Sequence, residues 1–290
     1  MRPPPPQPST APLAPGLYVV ATPIGNLRDM TLRAIDILAG ADLVLAEDTR
    51  VAAKLLSAYD LKARVERYDD HTDAWRRPQI LEKLAAGARI ALVSDAGTPL
   101  VSDPGYRLVR AAAEAGLDVF AAPGPSAALA ALAVSGLPTD RFLFAGFVPP
   151  KSGPRQAFLA ELAAIRATLI LYETGPRLSD SLADMRVVLG DRDAVVAREL
   201  TKLHETVVRG PLSSLIATFA DGPPRGEIVV LIGPGEAAVA TEADADAALR
   251  EALTRAGPAE AATEVARALG LNRRALYRRA LDFKGDVDRS

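Results

Sequence analysis

The chain has 290 residues, 49% hydrophobic and 24% charged, with a formal net charge of -2, an ordinary globular composition long enough for two modest domains and an appendage. Cysteine is absent and histidine occurs only at His71 and His204, which excludes disulfides, thiolate chemistry and Cys- or His-rich metal sites. Without a global basic excess, any nucleic-acid contact must come from a local patch. Residues 1–15 are dominated by proline, from Pro3 to Pro15, and are expected to form an extended tail, because proline lacks an amide donor and fixes φ. No apolar run reaches the roughly 18 residues of a membrane span. The N-terminus also lacks an apolar signal core, so a cytoplasmic protein is expected.

Order is expected to begin at the strand Leu17–Ala21, followed by the turn residues Thr22-Pro23-Ile24-Gly25-Asn26. Asp29 or Thr31 can cap the next helix, and Gly40 closes it. A second strand, Leu43–Ala46, ends on Glu47-Asp48-Thr49-Arg50. Four polar residues at the end of a buried strand suit a functional site, and Asp48 or Thr49 equally suits a helix cap. His71-Thr72-Asp73 opens another helix, which ends near Gly87. The short apolar run Ile90–Val93 then reads as a buried parallel strand.

The loop after that strand is dense in turn formers: Asp95, Gly97, Thr98, Pro99, Ser102, Asp103, Pro104 and Gly105. Such a loop lets another molecule approach the main chain closely, and in an open parallel sheet ligands bind beyond the carboxyl ends of the strands. One loop of this kind is compatible with an ordinary strand-to-helix connection. A second, Pro123-Gly124-Pro125-Ser126, comes after the next apolar strand, and the pair favours a ligand site. The alternation of strand and helix specifies an α/β domain over 16–137 with a mostly parallel sheet.

A second α/β domain is expected over 138–236. Its strands are Phe142–Phe147, Thr168–Tyr172, Val195–Leu200 and Glu227–Ile232. Residues 237–290 read as a linker running into two short amphipathic helices around Gly270-Leu271-Asn272, with Ala266 four residues before the glycine. That is helix-turn-helix spacing. The second helix carries Arg273, Arg274, Arg278 and Arg279, which fits RNA or DNA contact or a solvated helical face.

Five blocks in order, LYVVATPIGNL from Leu17, AEDTR from Ala46, SDAGTPLVSDPG from Ser94, APGPSA from Ala122 and RELTKLHE from Arg198, resemble the small-subunit ribosomal RNA methyltransferases that act on a cytidine ribose. These belong to the tetrapyrrole methylase superfamily. The resemblance covers residues 17–235, and the helical end is similar to the one this family appends. It implies a homodimer that binds S-adenosylmethionine between two α/β domains. The reaction implied is methylation of a cytidine ribose 2′-hydroxyl in 16S RNA near the decoding centre, on free RNA or the assembled 30S subunit. It also implies the cofactor contacts: Pro23, Asp95, Ala96, Gly97, Thr98, the Val101-Ser102 backbone, Ser126, Ala127, Tyr172, Gly226, Glu227 and Ile228. Ser126 and Ala127 also suit plain helix capping.

A ribose hydroxyl is a weak nucleophile, so a positioned base or cation should assist transfer. Glu47, Asp48, Glu199, His204 and Glu205 are candidate bases, while Arg50 and Lys202 can hold phosphate or ribose oxygens; His204 suits a structural role equally. No motif for a catalytic metal is present. Two other readings stay open. A tetrapyrrole-type small-molecule methylase on this fold predicts a Gly-x-Gly-x-Gly-Asp loop after the first strand, where this chain has Thr22-Pro23-Ile24-Gly25-Asn26. A DNA-binding regulator would use the helix-turn-helix and require sequence-specific duplex affinity.

Overall fold

A computed structural model describes residues 12–235 and 242–287. Most of the proline-rich tail and the start of the expected linker therefore lie outside the described residues. Backbone contacts divide the chain after Gly235 into two compact units.

In the first unit, β1 (Gly16–Val20), α1 (Leu32–Gly40), β2 (Leu43–Ala46), α2 (Thr49–Ala58), β3 (Val65–Arg67), α3 (Asp73–Ala85), β4 (Arg89–Val93), α4 (Tyr106–Glu114) and β5 (Val119–Ala122) precede α5 (Ala127–Ser135). The strands pair in parallel in the order β3-β2-β4-β1-β5. Strand β4 lies between β2 and β1 with Ile90 to Val93 fully buried, because both faces are covered. Tyr18 and Val20 point into one core with Ala34, Ile37 and Leu56 of α1 and α2. Leu17 and Leu92 point into the other, with Ile80 and Leu108 of α3 and α4. Neighbouring strands β1 and β4 send their chains off in opposite directions along the sheet, to β2 and to β5. A crevice must therefore open between their carboxyl ends.

The second sheet contains β6 (Phe142–Phe147), α6 (Ser152–Leu162), β7 (Thr168–Thr174), α7 (Leu178–Leu189), β8 (Asp193–Arg198), β9 (Thr206–Pro211), α8 (Leu212–Thr218) and β10 (Glu227–Ile232). Its order is β6-β7-β10-β8-β9, parallel only at β6–β7 and antiparallel elsewhere. Helices α6, α7 and α8 cover one face. Between them Arg155 is buried and donates to Asp184 at 2.7 Å, with Ser152 and Gln156 donating to the other carboxylate oxygen. Burial works against the Asp184 charge, but these hydrogen bonds outweigh it and hold the carboxyl below its usual range.

The opposite face packs against Ala128, Ala131 and Leu132 of α5 and against Ile24 from the β1 loop. The sequence places α5 with the first domain. Its run Ala-Ala-Leu-Ala-Ala-Leu-Ala-Val-Ser is apolar all round, and such a helix needs cover on more than one side. The second sheet covers one side, through Ala128, Ala131 and Leu132, while Leu129 and Val134 on the other stay exposed.

The second unit is a three-helix cluster of α9 (Glu242–Leu253), α10 (Pro258–Leu269) and α11 (Arg273–Val287) around Leu249, Ala261, Val265 and Leu276. Gly270 takes φ 66° and ends α10, and the Asn272 side chain caps α11 through the amides of Arg274 and Ala275. Among the described residues, no helix is long and apolar enough to cross a membrane.

Candidate functional site

The crevice at the carboxyl ends of β1 and β4 is roofed by the second sheet and encloses a cavity of about 320 Å³, at the lower end of the range for small-molecule sites. The loop after β4 is tied to the end of β1. Thr22 and Gly97 exchange backbone hydrogen bonds of 2.8 and 3.0 Å, Thr22 Oγ1 donates to the Ser94 carbonyl, and Thr98 Oγ1 donates to the Pro125 carbonyl at 3.0 Å. Gly97 adopts φ 80°, which L side chains rarely adopt. Leu100 and Ser102 take φ 72° and 64°, strain that tends to gather at functional loops.

Of the expected cofactor residues, Ala96, Gly97, Thr98, Val101, Ser126, Ala127, Tyr172, Gly226, Glu227 and Ile228 line this cavity. Ser126 does so while also capping α5 through the Leu129 amide. Pro23 sits beside the lining residue Ile24. Asp95 accepts a hydrogen bond from the Asp48 amide at 3.1 Å. The exposed Ser102 approaches Gly146 of β6, where an added Cβ would lie 3.3 Å from its Oγ. The wall is completed by residues without a role in the sequence reading, among them Asp103, Phe147, Ala197 and Leu200. The Ser-Asp-Pro-Gly turn was the available signal for Asp103.

Asp103 sets the electrostatics. Burial pushes its carboxyl up to about 6, aided by the charges of Glu47 and Asp95 and opposed by a hydrogen bond from Ser94. A carboxylate held in a small-residue recess is relieved by a cationic ligand. S-adenosylmethionine, with its sulfonium and ammonium groups, has that character, and the glycines and alanines leave room for its close approach. Asp103 would face its positive groups, and Gly226, Glu227 and Ile228 would offer it main-chain donors and acceptors.

The catalytic candidates fall in two groups beside the cavity, none of them in its lining. Asp48 caps α2 and accepts two hydrogen bonds from the Arg50 guanidinium, at 3.0 and 2.6 Å. Those bonds and the Arg50 amide hold its carboxyl far below the usual range, so it is a poor base and Arg50 is already engaged. Glu47 differs: burial, then the charges of Asp95, Asp69 and Asp70, push its carboxyl up. Lys202 donates to Glu199 and Glu227, each at 2.9 Å. It acts as a rivet, with its stem against Gly25, where a Cβ would lie 2.4 Å from Lys202 Cγ. This contact ties the β1 loop to the β8–β9 loop. His204 is exposed, with its carbonyl accepting from Arg198 at 3.2 Å. Glu205 accepts from the Thr201 amide at 2.6 Å.

In the second unit Arg273 donates to Thr263 at 2.7 Å and Arg279 pairs with Asp246 at 2.5 Å. Arg274 and Arg278 are exposed, with Tyr277 between them. Among the described residues no group of His, Cys, Asp or Glu is arranged to hold a metal ion.

Residues 16–216 match the tetrapyrrole (corrin/porphyrin) methylases, and residues 239–284 match the RsmI C-terminal HTH domain. Among solved structures, diphthine synthase superposes with a TM-score of 0.58 at 17% identity, over 75% of this chain and 89% of its own. A cobalt precorrin-4 methyltransferase gives 0.53 at 21%, over 75% and 94%; both likenesses concern the fold alone. Proteins named ribosomal RNA small subunit methyltransferase I are far more similar. That of Erythrobacter litoralis is 54% identical over 95% of this chain and 98% of its own length. The Mesorhizobium japonicum protein is 49% identical over 94% of each, and the Escherichia coli O157:H7 protein 45% over 93% and 96%. With its paired sheets, acid-lined recess and helical C-terminal unit, the chain belongs to the tetrapyrrole methylase family and, within it, to the ribosomal RNA small subunit methyltransferase I group.

Proposed function

We propose that this protein transfers a methyl group from S-adenosylmethionine to the 2′-hydroxyl of a cytidine in 16S ribosomal RNA, near the decoding centre. The observation that carries the reading is the similarity to relatives of that name along nearly the whole chain, helical unit included. The cofactor supplies an activated methyl group; the protein's part is to orient the donor and acceptor and exclude water. The test is methyl incorporation into small subunits, or their RNA, from cells lacking this protein, followed by mass mapping of the product. Absence of a ribose methyl on any cytidine would refute the reading.

The hydroxyl proton is assigned to Glu47, which stands near enough to act on the lining residue Asp103 and, unlike Asp48, is not tied up by an arginine. Glu47→Gln should slow single-turnover methylation by about 100-fold or more with cofactor affinity kept; a wild-type rate would exclude it. Arg274 and Arg278, with Arg273 and Arg279 on the same helix, are assigned to the RNA backbone. Arg274→Glu with Arg278→Glu should weaken RNA binding and flatten its salt dependence by about one unit of slope per lost phosphate contact. Calorimetry of the cofactor should be unchanged. The reading also includes a homodimer acting in the cytoplasm. The exposed apolar Leu129, Val134 and Phe142 are surfaces that a second copy would cover.

A further inference from the structure

Aromatic residues make up only 5% of the chain, yet three of them form a ladder beside the cavity. Phe144 meets Tyr172 edge-on with ring centroids 4.8 Å apart, and Tyr172 meets Phe147 edge-on at 5.3 Å. Phe144 packs into the core between the second sheet and α5, Tyr172 is partly buried in the cavity wall, and Phe147 is 56% exposed while lining the cavity.

The ladder exists because of a bulge. Residues 144 and 147 are an odd number of positions apart, so a regular strand would send their side chains to opposite faces. In β6 the register slips between Phe144 and Gly146, pairing Phe144 with Ile170 and Gly146 with Leu171. Ala145 is thus the extra residue. Phe147 then pairs with Tyr172, two places after Ile170, on the same face as Phe144. Bulges of this kind re-aim a side chain beside a site. Gly146 adopts φ 73° at this point and passes close to Ser102 of the opposite sheet's loop, so the turned ring stands where the two lobes meet.

We propose that Phe147 is a substrate-positioning residue that stacks against the base of the target nucleotide; the proposal rests on the RNA-methylating reading above. Near-attack geometry needs the acceptor oxygen about 3–3.5 Å from the methyl carbon. A ribose can enter a recess only together with its base, which must leave its neighbours in the strand. An unstacked base is held by stacking on aromatic side chains. Of the two rings in the cavity wall Phe147 is the more exposed, and its edge contact with Tyr172 fixes its orientation beforehand.

The test compares Phe147→Ala, Phe147→Leu, Phe147→Tyr and Phe147→Trp with wild type. The readouts are single-turnover methylation of small-subunit substrate, KM for that substrate, and calorimetric affinity for S-adenosylmethionine. Stacking predicts that the alanine and leucine variants lose about 5- to 150-fold in kcat/KM for RNA, that tyrosine and tryptophan restore most of it, and that cofactor affinity stays within about twofold. Cofactor affinity falling in step with methylation would assign the ring to the cofactor's own adenine and overturn the proposal. An unimpaired alanine variant would also overturn it, as would full rescue by leucine. Wild-type protein that methylates no ribosomal substrate would instead defeat the functional reading, and this proposal with it.

Discussion

Asp103→Asn should weaken S-adenosylmethionine binding by about 30-fold or more, since loss of one member of a buried charge pair costs about 2–5 kcal/mol, and should remove the pH dependence of that binding. The carboxyl is pushed up to about 6 by burial, with Glu47 and Asp95 adding to the effect. In the free protein it therefore carries a proton below that value. A ligand with sulfonium and ammonium groups and a net positive charge prefers the ionised form, so wild-type affinity should be flat above about pH 7 and fall up to about tenfold per unit below about pH 6. Fold stability runs the other way. A carboxyl raised in the folded state contributes most below its unfolded value, and that contribution is lost as pH rises through about 6. Weaker binding at pH 5.5 is therefore not an unfolding effect of this group. Calorimetry of both proteins from about pH 5 to 8 checks the prediction; an asparagine variant with the wild-type profile would remove Asp103 from the site.

Gly226→Ala should slow methylation at limiting cofactor by at least about tenfold, with a loss of stability. Gly226 lines the cavity at φ 101°, a conformation that costs an L residue about 1–3 kcal/mol. Its new Cβ would lie 2.4 Å from Glu199 Oε1 and 2.6 Å from Glu199 Cγ. Glu199 cannot swing aside cheaply. The same carboxylate oxygen accepts the Glu227 amide at 3.0 Å and Lys202 at 2.9 Å, and the Glu199 backbone itself sits at φ 51°. The clash therefore passes into the Gly226–Ile228 edge and the Lys202 rivet together. Thermal melting should show a drop of a few degrees, about 2–4 °C per kcal/mol for a chain near this size. Cofactor affinity should fall by at least about tenfold, beyond what the stability loss alone would give. Unchanged affinity would mean that this edge does not touch the cofactor.

The parts of the fold legible in the sequence are those where burial dictates composition. Residues Ile90 to Val93 are apolar without interruption because β4 is covered on both sides, and Leu43–Ala46 is as well. Strands β3 and β9 were not legible. They are edge strands with partly exposed residues, so no apolar run marks them. The loops after β4 and β5 announced the cavity because close main-chain approach demands glycine and proline there. Partnerships across the chain left no local mark. The Glu199–Lys202 spacing hints at a pair, but nothing near it names Glu227 as the second carboxylate. For that reason Lys202 read as a free cation. Asp103 lay in plain view inside a turn motif, but its raised carboxyl depends on burial and on Glu47, which is distant in sequence.

Helix α5 comes directly after β5, yet its cover comes from Ile170, Val195, Val229 and Leu231, all made later by the ribosome. During synthesis this greasy segment must wait, solvent-facing, until roughly the last strand of the second sheet has emerged. A fragment ending before residue 138 is therefore expected to expose the apolar face that α5 turns to the second sheet.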